Sequence, residues 1–165
     1  MVRGSSVLLP LLFLAGAAVL SVEGRCECRQ KEKCECSVYV DVNPGKDPQD
    51  RVYGTLHASL TYVRLDKHST DGNIDVVVRM NGKQASKTIS TTNNDNRPVC
   101  ISILYEFHMR PSVDACVYLS KVKKTKESNY QLKGQVNHFV RVLERKLVKD
   151  TKLDDFLMHL KGVNE

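Results

Sequence analysis

The chain has no tryptophan, and aromatic residues make up only 6% of it. A strand of unpaired bases needs a row of rings to stack on, so single-stranded nucleic acid is excluded as a partner. No Asn-x-Ser/Thr triplet occurs, which excludes N-linked glycosylation. The five histidines, at 57, 68, 108, 138 and 159, form no His-x-x-x-His pair and no HExxH. There is no glycine-rich phosphate loop and no GxSxG elbow. Enzymatic chemistry is therefore not expected, and neither is a cofactor. After residue 20 no long apolar run recurs, so no membrane span or lipid anchor is predicted.

The opening stretch, residues 1–24, reads as a secretory signal peptide. Arg3 supplies the positive n-region, Val7 to Leu20 the apolar run, and Val22 and Gly24 the small residues near a cleavage site. The mature protein is expected to be secreted and extracellular. Residues 25–165 are long enough for one domain with its own core. They divide into a cysteine-rich tip at 25–36 and a body at 37–165. The net charge of +6 suits sulfated polysaccharides and other anionic surfaces outside the cell.

Sulfur is distributed unevenly. Cys26, Cys28, Cys34 and Cys36 crowd one end, and only Cys100 and Cys116 lie beyond them. In an oxidising compartment six cysteines read as three disulfides, with 15 connectivities. Bonds across one residue, Cys26–Cys28 or Cys34–Cys36, are geometrically poor. At most two of the four can reach Cys100 and Cys116. The other two pair with each other, bond another chain in a disulfide-linked dimer, or stay free. The preferred reading pins the tip to the strands carrying Cys100 and Cys116. Each such bridge would close a long loop, worth about 3–5 kcal/mol in the chain-entropy account. One residue between cysteines, instead of the two usual in thiolate metal sites, argues against a metal of the protein's own.

Alternating apolar and polar residues predict strands in SVYVDVN, RVYGTLHASLTYVRLDKH, IDVVVRM, KQASKTIST, VCISILYEF and ACVYLSKV. Gly54 marks a bulge or coil point, and Asn81-Gly82 predicts a tight hairpin. From Ser128 the spacing changes. Leu132, Val136, Phe139, Val140, Leu143 and Leu147 predict a helix over about 128–149, capped by Ser128 and Gln131. Leu153, Phe156, Leu157 and Leu160 predict a second helix over about 151–161. The fold expected is mainly β with C-terminal helices, a curled antiparallel sheet or OB-like barrel stapled by disulfides. His138 would then lie on a helix surface. Lys121, Lys123, Lys124 and Lys126 form a cationic run spaced for a heparin-like glycosaminoglycan.

A signal peptide, a Cys-x-Cys near the mature start, a curled sheet holding two cysteines and a helix together resemble the netrin-like domain of the tissue inhibitors of metalloproteinases. CECSVYVDV is similar to that family's step into its first strand, and Cys100 and Cys116 to the positions bridged to its first two cysteines. The resemblance covers the layout of residues 26–148. It implies an OB-type barrel, bridges Cys26–Cys100 and Cys28–Cys116, and a secreted binding protein that inhibits a zinc metalloproteinase. Cys26, Glu27 and Cys28 would form the inhibitory tip, with Cys26 ligating the protease zinc only if it is N-terminal. Arg25 precedes it, and an amide nitrogen does not ligate as an amine does. The alternative is a heparin- or matrix-binding, cytokine-like or host-defence module without protease inhibition.

Overall fold

The computed structural model describes residues 24–43, 47–92, 97–106, 110–125, 129–142, 145–146 and 151–161. Eleven strands run through them: β1 Arg25–Gln30, β2 Lys33–Val42, β3 Val52–Arg64, β4 Gly72–Met80, β5 Lys83–Ser90, β6 Val99–Leu104, β7 Pro111–Leu119, β8 Lys123–Lys124, β9 Tyr130–Val142, β10 Arg145–Lys146 and β11 Thr151–Leu160. Among the described residues the only helical turn is a short 3-10 turn, Pro48–Asp50, capped by Asp47.

All pairings are antiparallel. β1 to β5 form a meander in chain order, while β6, β7, β9 and β10 form a second sheet in which β8 and β11 also pair with β9. The two sheets bury one shared core. Even-numbered residues of β2, β3 and β4, from Cys34 to Met80, face Ile101, Val113, Leu132, Phe156 and Met158 of the other sheet. β1 and β2 approach β11, and β5 approaches β6. These seams carry no ladder among the described residues. The expected OB-like closure is therefore corrected to two open sheets.

The predicted hairpin at Asn81-Gly82 is present: both residues have positive φ, 50° and 75°, as a tight β4–β5 turn requires. Gly54 is no bulge, because β3 stays in register with β2 through the Val40–Gly54 pair. Its φ of 141° is glycine territory, and a Cβ there would overlap the Asn81 amide. That amide donates to the Tyr53 carbonyl at 2.6 Å, tying the turn to β3.

Both predicted C-terminal helices are strands. β9 pairs with β7 from Gly134 to Val142 and with β11 from Tyr130 to His138. Leu132, Val136 and Val140 are four apart, a spacing that is a multiple of two and so suits one face of a strand as well as a helix. Phe139 is buried from the opposite face. In β11 the three-residue step from Leu153 to Phe156 spans a register shift between Lys152 and Asp154. One extra residue there flips the alternation, so Leu153, Phe156, Met158 and Leu160 are all buried. Ser128, Leu143 and Leu147 of the predicted first helix lie outside the described residues.

Candidate functional site

The cysteine-rich tip is built into the sheet. Arg25 to Gln30 return along Lys33 to Val42 as a hairpin, with Cys26 opposite Cys36. Disulfides join Cys26 to Cys36, a register pair, and Cys28 to Cys34, where the ladder is irregular between Glu27 and Gln30. Cys100 and Cys116, register partners on β6 and β7, bond each other. The expected bridges from the tip to Cys100 and Cys116 are thus overturned. Antiparallel pairing brings each cysteine opposite a near neighbour before any distant one can reach it. All six are bonded, so no thiol remains for an intermolecular disulfide or a thiolate metal site. Among the described residues no three His, Cys, Asp or Glu side chains are grouped to hold a metal ion.

Strand alternation sends the sulfurs inward, where Cys34 and Cys36 are buried, and the charges outward. Arg25, Glu27, Arg29, Lys33, Glu35 and His57 border an open groove of about 450 Å³. Glu27 meets Arg29 at 2.6 Å and Arg25 at 3.3 Å, and Lys33 meets Glu35 at 2.8 Å. The Arg29 hydrogen bond and charge, with Arg25 behind them, hold the Glu27 carboxyl below its ordinary range. Glu27 and Cys28 lie along an edge strand. The backbone nitrogen of Cys26 donates to Asp154 Oδ2 at 2.7 Å, clamping the hairpin to β11.

The cationic run sits elsewhere. After β7, Ser120 turns back onto β9, its backbone and its hydroxyl both donating to the Lys133 carbonyl. Lys123 then pairs with Gln131 and Lys124 with Tyr130. Lys121, Lys123, Lys124 and Lys133 are all exposed. None of these four ammonium groups has an ion pair among the described residues, whereas Arg25, Arg29, Lys33, Arg51 and Lys152 each have one. Lys126 lies outside the described residues.

Histidine 138 is half-buried on the core-facing side of β9, not on a helix surface. Sequence reasoning also missed a polar cluster on the second sheet. Asp114 is fully buried and binds Arg141 through two hydrogen bonds, of 2.6 and 3.2 Å, and Arg141 also donates to Ser102. Its only sequence trace is an aspartate inside the apolar strand SVDACVYL. Two exposed tyrosines on the first sheet, Tyr39 and Tyr53, escape sequence reasoning as well. No helix of the described residues is long and apolar enough to cross a membrane. No known protein family, curated protein or solved structure matches the chain.

Proposed function

We propose that this is a secreted, disulfide-bonded binding protein that holds sulfated polysaccharide along the β8 edge. One observation carries the reading: Lys121, Lys123, Lys124 and Lys133 are exposed and have no ion pair among the described residues. Closely spaced ammonium groups add their potentials over a polyanion and release its condensed counterions. The Ser120 turn and the β8–β9 pairing hold the backbone carrying them, so little ordering entropy is lost on binding. The test is elution from heparin. Lys121→Ala, Lys123→Ala and Lys124→Ala together should move the protein to lower salt, and an unchanged elution position rejects the edge.

A metalloproteinase inhibitor acting through Cys26, Glu27 and Cys28 is the rival. It needs a free amine at Cys26, and in this fold that nitrogen is spent on Asp154. Stoichiometric inhibition of a zinc metalloproteinase by a chain beginning at Cys26 would reinstate the tip.

A further inference from the structure

We infer that the outer face of the β1–β5 sheet is a second binding surface, for an acidic oligosaccharide lying across the strands. The register fixes a single cross-strand row. Arg25 lies opposite Ser37, Ser37 opposite His57, His57 opposite Arg79, and Arg79 opposite Gln84. Directly opposite side chains on one face are about 5 Å apart, so the row spans the whole sheet. Every member carries a hydrogen-bonding group and none is a carboxylate.

The acids on the same face are already engaged. Glu27 is held by Arg25 and Arg29, Glu35 by Lys33 and the Ser59 hydroxyl, Asp41 by Arg51, and Asp75 by the Thr88 hydroxyl. Arg79, in contrast, makes only a hydrogen bond to the neutral Gln84 amide among the described residues. Its charge is free to meet an anionic substituent, with His57 beside it.

Next to this row lie two aromatic rings. Tyr39 is 42% exposed and Tyr53 56% exposed, and they are diagonal neighbours, since Tyr39 pairs with Thr55 and Asp41 with Tyr53. The Arg51 guanidinium, locked to Asp41 by two hydrogen bonds, lies 5.4 Å from the centre of the Tyr53 ring and stiffens that corner. Exposed rings with polar rims suit the C–H faces of pyranose sugars, whose hydroxyls bond to amides and hydroxyls beside them. The cations of this face, Arg25, Arg29, Lys33, Arg51 and Arg79, are offset by Glu27, Glu35, Asp41 and Asp75, too small a surplus to attract a polyphosphate. Stacking plus the one free cation among the described residues of this face, Arg79, fits a sparsely charged sugar chain instead.

This surface is independent of the lysine edge and is tested without it. In the Lys121→Ala, Lys123→Ala, Lys124→Ala protein, full chain, a uronate octasaccharide lacking sulfate is titrated by calorimetry and by backbone amide NMR. Shifts are expected at Ser37, His57 and Arg79. Arg79→Gln should weaken binding by about tenfold, the scale of one lost charge-assisted hydrogen bond. Tyr39→Ala with Tyr53→Ala should weaken it further, and a neutral octasaccharide should bind less well than the acidic one. All three side chains are exposed, so an unchanged thermal unfolding curve shows that each variant is folded. No binding, shifts confined to other residues, or affinity indifferent to these substitutions overturns the proposal.

Discussion

Asp114 and Arg141 form an ion pair that only one of them can leave. The carboxylate has no solvent exposure, while the Arg141 side chain is 38% exposed. Arg141 Nε reaches Oδ2 at 2.6 Å, its second nitrogen reaches Oδ1 at 3.2 Å, and Ser112 adds a longer contact at 3.5 Å. Arg141→Met would strand a buried charge and should cost about 3–5 kcal/mol. Replacing both partners, Asp114→Leu with Arg141→Met, should recover much of that loss. Urea unfolding of the three proteins decides, and a double variant no more stable than Arg141→Met alone would refute the account.

The disulfides close loops of unequal size. Their sequence separations are 6, 10 and 16 for Cys28–Cys34, Cys26–Cys36 and Cys100–Cys116. Loop-closure entropy grows with the logarithm of length, giving about 2–3 kcal/mol each, with the longest at the top. These values lie at or below the range expected for bridges running from the tip to the body. Paired Cys→Ala variants should rank in that order by urea midpoint, with Cys28→Ala, Cys34→Ala mildest. Mass mapping of the oxidised protein should return the same three pairs. A peptide linking Cys26 or Cys28 to Cys100 or Cys116 would contradict the fold.

β2 from Ser37 onward and β3 to β7 were legible because their alternation is clean and their turns carry Asn81-Gly82 and other glycine or proline signals, whereas β1 was read only as a cysteine-rich tip. The second half was misread where two periods coincide. Leu132, Val136 and Val140 satisfy both a helix and a strand, and the β11 bulge imitates a helical step between Leu153 and Phe156. The contrary signal was present. Gly134 would cost a helix interior about 1 kcal/mol, and Val136, Val140 and Val142 favour a pleated surface. Candidate-site residues were legible only where they are consecutive, as in the lysine run. The Arg25–Ser37–His57–Arg79 row brings together four strands, and only their register assembles it.

Gly134 tests that strand reading directly. It lies opposite Phe156 on β11 and Leu119 on β7. An added Cβ would overlap the Phe156 ring and come within 2.7 Å of the Tyr118 carbonyl oxygen. On a helix surface Gly134→Ala would stabilise. Here it should destabilise by about 1–3 kcal/mol, the usual cost of overpacking. Phe156→Leu should relieve part of that cost in the double variant, a coupling visible in a double-mutant cycle. A stabilising Gly134→Ala would return the segment to the helical reading.

Tyr62 sets an alkaline limit. Its ring is 4% exposed and lies against Gly72, and its hydroxyl donates to the Thr70 carbonyl at 2.8 Å. Burial pushes the hydroxyl above its ordinary value of 10.0, with the nearby Arg64 charge opposing the shift. The sign depends on which state loses the proton first. Between 10.0 and the higher folded value, the unfolded chain ionises while the folded one does not. The stabilisation is therefore whole below pH 10 and drains away as pH climbs through the folded value. Tyr62→Phe should cost about 1 kcal/mol at pH 7, where it removes one hydrogen bond. Its deficit relative to the natural protein should then shrink between pH 9 and 11, because the variant has no phenol at this position to ionise. Some alkaline loss should persist in the variant, since burial also raises Tyr105. Urea unfolding across that range is the measurement, and a deficit that stays constant to pH 11 would show that Tyr62 does not govern the limit.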